Sequence, residues 1–119
     1  MATPVEQLMH ANLTEVFGER DSAARAEAAA RTYAADVVFS DPDEVVVGVD
    51  AVVEKAGRIL DGAPGFVFRP AGPVHENHDL GYLAWEFGPA DAEPVVTGFD
   101  VCFIEAGRIT KVYTVLTAS

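Results

Sequence analysis

The period of the hydrophobic pattern changes along this chain, and that change restricts the fold more than any other feature. Up to about residue 33 apolar residues recur at helical spacing, and over most of the remainder they alternate with polar residues, as in strands. Helices first and strands afterwards predict an α+β fold, with the helices packed on one face of a curved antiparallel sheet. Because 119 residues suffice for one core, we expect a single domain over residues 1–119.

Three helices are predicted from the residue types at their ends. Ser, Thr and Asp side chains satisfy the free N–H groups of a first turn, and glycine commonly follows a last turn. The predicted N-caps are Thr3, Asp21 or Ser22, and Asp50. The helices that follow them end near Gly18, at about Tyr33 and, for the third helix Ala51–Leu60, before Gly62.

Six strands are predicted from the alternation and from the turn-forming residues between them. They are Val37–Asp41, Val45–Val47, Phe66–His75, Leu80–Phe87, Val95–Glu105 and Arg108–Leu116. The last four are joined by the turn-like segments 76–79, 88–91 and 106–107. Short turns join antiparallel neighbours, so these strands are expected to form a meander.

The charge balance and the single cysteine exclude several functions. The 19 acidic and 8 basic residues give a net charge of −11, which repels nucleic-acid phosphates and anionic membranes. No apolar run approaches the ~18 residues of a membrane span, and no basic-then-apolar leader is visible. Cys102 alone forms neither an internal disulfide nor a cysteine-based zinc cluster. We expect a soluble, cytoplasmic domain without a cofactor, since the glycines form no phosphate-binding loop.

Three polar residues fall on faces that are predicted to point inwards. Asn12 lies within the apolar stripe of the first helix, Asp41 shares a strand face with Val37 and Phe39, and Asp100 alternates with apolar residues. No lysine or arginine is predicted on an inward face, so both aspartates are expected to line a water-accessible cavity. The alternatives are a turn cap for Asp41, a bulge contact for Asp100 and a buried helix–strand bond for Asn12.

The last two strands are apolar on both faces. Phe99, Val101 and Phe103 are predicted on the outer face of one strand, and Ile109, Tyr113 and Val115 on the outer face of the next. An exposed apolar patch of this kind usually marks an interface, so we expect a homodimer packed through the outer face of the sheet. The alternative is that a terminal segment or the twist of the sheet covers these side chains.

Several segments resemble one known family. They are Tyr33–Pro42, Gly48 before a helix, Ala71–His75 and the turn Gly107–Ile109. In these segments the chain resembles the nuclear-transport-factor-2-like, or SnoaL-like, superfamily. The resemblance implies a cone-shaped curved sheet wrapped around three helices, an internal ligand cavity and frequent dimerisation through the sheet. Its members include ketosteroid isomerases, polyketide cyclases, epoxide hydrolases and dehydratases.

The ketosteroid isomerase pattern implies roles for particular residues. Asp41, before a proline at the end of the first strand, matches the general base. Asp100 matches the protonated aspartate of the oxyanion hole, and Tyr33 matches the tyrosine that supports it. The tyrosine that donates from the first helix has no counterpart, because Asn12 or Leu13 stands there. Losing one oxyanion donor typically costs ~10²–10³ in rate, so efficient steroid isomerisation is not expected.

The leading hypothesis is a small-molecule-binding protein that performs acid/base chemistry, of the isomerase, cyclase or dehydratase type, on a hydrophobic carbonyl or polyketide-like ligand. Asp41 is the predicted base and Asp100 the predicted hydrogen-bond donor. The residues predicted to bind the ligand beside them are Asn12, Tyr33, Phe39, Phe66, Phe68, Leu83, Trp85, Val112 and Leu116. Trp85 alternatively serves only as core.

Two other functions remain open from the sequence. One is a non-catalytic binding or scaffold dimer of the same fold. The other is an epoxide hydrolase, in which family resemblance implies an arginine between carboxylates, whereas Arg58 and Arg69 are predicted to face outwards. A metal site at His75 and His78 is not favoured, because these residues flank a predicted hairpin turn. Cys102 is predicted to be an inert core thiol.

Overall fold

The computed structural model describes residues 2–119, in which helices and strands follow the predicted order. The first helix, α1 (Pro4–His10), continues as a π-helical segment over Ala11–Val16. The other helices are α2 (Ser22–Thr32) and α3 (Val49–Asp61). The strands are β1 (Tyr33–Ser40), β2 (Val45–Val47), β3 (Phe66–Pro70), β4 (His75–Asn77), β5 (Leu80–Pro89), β6 (Val96–Glu105) and β7 (Arg108–Ala118). The α+β fold predicted from the hydrophobic period is confirmed.

The strands form one curved, open sheet in the order β2-β1-β7-β6-β5-β3, with β4 also paired to β5. All pairs are antiparallel except β1 and β7, which run parallel, so the prediction of an entirely antiparallel sheet is wrong at that pair. Parallel neighbours need a long crossover, and here α3 and the strands β3–β6 supply it. This pairing brings the first long strand beside the last and leaves Asp41 at the end of β1 near the concave face.

Two of the predicted helix starts are confirmed. Thr3 accepts a hydrogen bond from the backbone of Glu6 at 3.1 Å while Glu6 accepts one from the backbone of Thr3, a capping box. Asp21 accepts from the backbone of Ala24 at 2.8 Å. Asp50 is not an N-cap, because α3 already begins at Val49 after Gly48, whose φ of 98° lets the chain turn from β2 into the helix.

The predicted strand Phe66–His75 is instead two strands, β3 and β4, that both pair with β5. The break contains Gly72, at a φ of 143°, and Pro73, which has no N–H for a ladder. The two histidines of this region lie on the exposed β4–β5 hairpin, with His78 in its turn. No group of three His, Cys, Asp or Glu side chains within residues 2–119 is arranged to hold a metal ion.

The core lies between the helices and the concave face of the sheet. One residue of this core, Ile109, was predicted to face outwards and is instead completely buried. A bulge between Phe103 and Ile104 shifts the register, so that Ile109 and Val112 both point inwards from β7. Simple alternation along β7 therefore predicts the wrong face for its first residues. None of the helices in residues 2–119 is long and apolar enough to cross a membrane.

Candidate functional site

A cavity of about 200 Å³ lies between the helices and the concave face of the sheet. Its wall is mostly apolar, and the polar side chains on it come from the end of β1, from α3 and from the middle of β6 and β7. Because Asp43 and Leu116 are exposed to solvent whereas Asp100 and Leu13 are buried, the first pair lies at the mouth and the second at the closed end. The lining residues are Leu13, Phe17, Phe39, Asp41, Asp43, Lys55, Ile59, Phe68, Trp85, Phe87, Val96, Asp100, Thr114 and Leu116.

Asp100 is the polar centre of the closed end. It lies in the middle of the sheet on β6, is 6% exposed, and accepts three hydrogen bonds from neutral side chains. Its Oδ1 accepts from Trp85 Nε1 at 3.0 Å and from Thr114 Oγ1 at 2.7 Å, and its Oδ2 accepts from Asn12 Nδ2 at 2.9 Å. Since a carboxylate oxygen has room for two donors, Oδ2 retains an open acceptor position.

The contact between Trp85 and Asp100 depends on a glycine beside them. A Cβ on Gly98 would lie 2.8 Å from the Trp85 ring and 2.5 Å from the carbonyl oxygen of Val115. Because position 98 carries no side chain, the indole of Trp85 lies across β6 and its N–H reaches the carboxylate. The alternative in which Trp85 serves only as core is too narrow, since this residue both packs in the core and lines the cavity.

The π-helical segment explains how the first helix contributes two adjacent side chains to the interior. The wider π turn, closed by the bond from Phe17 N to Asn12 O at 3.1 Å, brings both Asn12 and Leu13 inwards. Leu13 lines the cavity, while Asn12 lies behind the wall and bonds to Asp100. Tyr33 OH donates to Asn12 Oδ1 at 2.5 Å, which directs the Asn12 amide N–H group towards Asp100.

Burial raises the pKa of Asp100 to about 6, although the hydrogen bonds from Thr114, Trp85 and Asn12 favour the carboxylate and lower the pKa. Burial also raises the pKa of Tyr33 well above its usual value, so this hydroxyl stays protonated. The Cys102 thiol, likewise buried, has a raised pKa and does not line the cavity. A carboxyl that titrates near neutral pH in an apolar cavity is suited to taking up and releasing a proton.

Asp41 and Lys55 form an ion pair on the wall nearer the mouth. Lys55 Nζ lies 2.8 Å from Asp41 Oδ2 and 3.0 Å from Glu44 Oε2, and the two paired side chains of Asp41 and Lys55 are only 10% and 7% exposed. Asp41 Oδ1 also accepts from the backbone of Asp43 at 2.9 Å and of Glu44 at 3.0 Å. The ion pair thus fixes the loop after β1 to α3.

The pKa of Asp41 lies below its usual value, because the hydrogen bonds from Lys55, Glu44 and Asp43 outweigh the effect of burial, which alone would raise it. The pKa of Lys55 is raised, because its contacts with Asp41 and Glu44 outweigh burial, which alone would lower it. Both groups are therefore charged across the neutral range.

The prediction that no lysine or arginine faces inwards is wrong, because Lys55 on α3 and Arg25 on α2 are both 6% exposed. Lys55 follows Val52 by three residues and precedes Ala56, and all three are buried on the same face of α3. That helical spacing was the signal in the sequence. This spacing is easily overlooked because lysine is rarely buried unless a carboxylate partner offsets its charge. The partner of Lys55 is Asp41, which is distant in sequence.

The structure brings together six of the eleven residues predicted for the site. On the cavity wall are Asp41, Asp100, Phe39, Phe68, Trp85 and Leu116. Behind the wall are Asn12, Tyr33, Leu83 and Val112, all buried, and Phe66, which packs edge-on against Phe87. Asn12 thus matches the alternative of a buried helix–strand bond. Asp41 combines a turn cap with an ion pair, whereas the partners of Asp100 are side chains and not a backbone amide.

One comparison with known protein families identifies the family of this chain. A sequence model of the SnoaL-like domain matches residues 11–112. The chain belongs to the SnoaL-like family. A search of curated protein sequences finds no match to it.

Several solved structures share its fold. A protein from Agrobacterium tumefaciens described as a candidate isomerase of the SnoaL-like family superposes with a TM-score of 0.90 at 21% identity, covering 98% of this chain and 100% of that one. A candidate polyketide cyclase from Acidithiobacillus ferrooxidans gives 0.76 at 16% identity, covering 98% and 90%. An epoxide hydrolase of M. tuberculosis gives 0.69 at 13% identity, covering 95% and 82%. At these identities the likeness establishes the fold alone.

Proposed function

We propose that this SnoaL-like protein binds a small, largely apolar molecule in the cavity and transfers a proton on it, with Asp100 as the acid/base group. One observation carries the proposal: a buried carboxyl group with a pKa of about 6, held only by neutral donors, lines an otherwise apolar cavity. Such a group changes its protonation state near neutral pH, as a general acid or base must. Oδ2 of Asp100, which accepts only from Asn12, is the oxygen that takes the proton.

This proposal reverses the roles that the ketosteroid isomerase pattern implies. Asp41 as the base stays a prediction, but its contacts do not favour it, because Lys55 and two backbone N–H groups occupy its oxygens and its pKa is lowered. A base bound in this way is weak. We assign proton transfer to Asp100 and the anchoring of the polar end of the ligand to the Asp41–Lys55 pair.

The size of the cavity restricts the ligand. Its volume of about 200 Å³ is below the ~300–1,000 Å³ of pockets that hold drug-sized molecules, yet above the ~150 Å³ of an engineered apolar cavity that binds benzene. The ligand proposed is therefore a small carbonyl compound of one or two rings and not a steroid. Epoxide hydrolysis is less well supported, since the cation on this wall is Lys55, while Arg58 and Arg69 form ion pairs near the surface.

Nitrobenzisoxazole tests the proposal without knowledge of the natural substrate. Its opening needs only removal of one C–H proton by a base and releases a coloured phenolate that absorbance measures directly. We expect the wild-type protein to accelerate this reaction. The rate should rise as the pH increases through about 6, because Asp100 ionises there. Asp100→Asn should lower the rate by about 100-fold or more, because a positioned base contributes ~10²–10⁴.

The control is Asp91→Asn, an exposed residue in the β5–β6 connection that should leave the rate unchanged. Quenching of Trp85 fluorescence measures whether Asp100→Asn still binds the probe. This measurement distinguishes a loss of chemistry from a loss of binding. If Asp100→Asn keeps the full rate, the assignment of the base is wrong. If the wild-type protein binds the probe but does not accelerate its opening, a non-catalytic binding function replaces the proposal.

We also propose that two copies pair through the outer face of the sheet, as the sequence predicts. On that face Tyr113 is 44% exposed and contacts Phe103, while Tyr82 packs against Phe99. Exposed aromatic and aliphatic groups on adjacent strands favour self-association. Tyr113→Lys should halve the mass measured by light scattering after size-exclusion chromatography. Val47→Lys, on the edge strand β2, should leave the mass unchanged, and a monomeric wild-type protein would contradict the proposal.

A further inference from the structure

The wall of the cavity carries one ammonium group, and its surroundings restrict what it can bind. Lys55 lines the cavity together with Asp41, and its Nζ is held by Asp41 Oδ2 at 2.8 Å and Glu44 Oε2 at 3.0 Å. An ammonium has three N–H donors. Two of them are directed to these carboxylates, so the third remains for an acceptor on a ligand.

The charges around Lys55 do not favour an anionic acceptor. The cavity wall carries the carboxyl groups of Asp41, Asp43 and Asp100, and Lys55 is the sole cationic side chain among its described residues. The charge of Lys55 is already balanced by Asp41, and Glu44, which Lys55 shares with Arg58, lies beside it as well. A ligand carboxylate would bring another negative charge into a confined apolar space, with no further cation to offset its lost hydration. A neutral oxygen accepts the N–H without adding charge.

We infer that Lys55 determines the specificity of the cavity: it donates a hydrogen bond to a neutral carbonyl oxygen of the ligand, and the carboxylates around it exclude carboxylate ligands. This inference rests on the proposed function in taking the same cavity as the ligand site. It adds the single donor that recognises the carbonyl oxygen, the N–H of Lys55, and the class of ligand that is rejected. Lys55 acts here as a binding residue for the ligand oxygen, while the proton is exchanged at Asp100.

Three probes of similar size test the inference: acetophenone, which has a neutral carbonyl, ethylbenzene, which has none, and benzoate, which is an anion. Trp85 is the single tryptophan of the chain and lines the cavity, so its fluorescence reports binding of each probe. Lys55→Met should weaken acetophenone binding by about tenfold or more, as expected for a hydrogen bond to a charged donor. Ethylbenzene binding should not change. For each probe, the affinity of the variant is compared with that of the wild-type protein. Differences in hydrophobicity between the probes therefore cancel.

Exclusion of anions is tested with benzoate in the same fluorescence assay. Benzoate should bind the wild-type protein more weakly than acetophenone does. Asp41→Ser removes one carboxylate from the wall and keeps a hydroxyl to accept from the backbone of the following loop. Benzoate binding should then strengthen, because Lys55 loses one of its two balancing charges. If Lys55→Met is too unstable to titrate, the double variant Asp41→Ser/Lys55→Met replaces it and should show the same selective loss of acetophenone.

Several outcomes would overturn the inference. An equal loss of acetophenone and ethylbenzene would show that Lys55 shapes the cavity without contacting a ligand oxygen. Benzoate binding as tight as acetophenone binding would show that anions are not excluded. Either result leaves Asp100 and its proton-transfer assay untouched. If none of the three probes binds while nitrobenzisoxazole is still opened in a way that depends on Asp100, only the inference fails. If that assay fails as well, the proposed function fails with it.

Discussion

Replacing Lys55 with methionine is expected to lower the free energy of unfolding by about 3–5 kcal/mol, because it leaves the buried Asp41 carboxylate without its partner. The ion pair is short, at 2.8 Å, and its side chains are 7% and 10% exposed. Urea denaturation followed by circular dichroism measures the change. Asp41→Ser/Lys55→Met should recover most of the loss, since removing both charges together leaves no buried ion unpaired.

Arg31→Met is the matched control. Arg31 and Glu15 are separated by the same 2.8 Å, but their side chains are 60% and 50% exposed, so breaking this pair should cost less than about 1 kcal/mol. A cost for Lys55→Met as small as that of Arg31→Met would contradict the burial of the Asp41–Lys55 pair. The lowered pKa of Asp41 adds a pH test: the contribution of this carboxylate is present above its usual pKa and is lost as pH falls through the lowered one.

The pH dependence of stability should reveal Asp100. Its pKa rises from 3.8 in the unfolded chain to about 6 in the folded one, so the folded state holds this proton more tightly. The stabilisation by Asp100 is therefore fully present below its unfolded pKa and is lost as pH rises to its folded pKa. A shift of this size corresponds to about 3 kcal/mol. We expect the wild-type protein to lose about that much relative to Asp100→Asn between about pH 3 and pH 7.

The measurement is the free energy of unfolding of both proteins at a series of pH values. The difference between them cancels the titration of all other carboxylates, including Asp41. Asp91→Asn, which removes an exposed carboxylate, should show no such trend against the wild-type protein. A difference that does not change with pH would mean that Asp100 titrates at its ordinary value, and it would remove the main support for its role as a base.

Much of this fold can be predicted from the sequence because the hydrophobic period directly reflects which side chains must be buried. The caps Thr3 and Asp21 are local signals and were interpretable without the structure. The errors arise where the backbone departs from a regular period. Gly72 and Pro73 divide one predicted strand into two, and a bulge turns Ile109 inwards.

The site could be predicted in part for the same reason. Asp41 and Asp100 stood out because a carboxylate on an inward strand face is costly, and both line the cavity. Lys55 was missed because its buried state depends on a partner 14 residues earlier, a relation that no local pattern contains. Thr114 was missed because a threonine on a strand is ordinary, and only the pairing of β6 with β7 places it beside Asp100.

The widened turn over Ala11–Val16 has a consequence for how this protein can diversify. It assigns adjacent positions to separate tasks: Asn12 bonds to Asp100, the proposed acid/base group, and Leu13 lines the proposed ligand cavity. A relative could therefore exchange Leu13 for a larger or smaller side chain and change the shape of the cavity while the bond between Asn12 and Asp100 stayed intact. Deleting one residue from this turn would restore the regular helical repeat and force both tasks onto a single position.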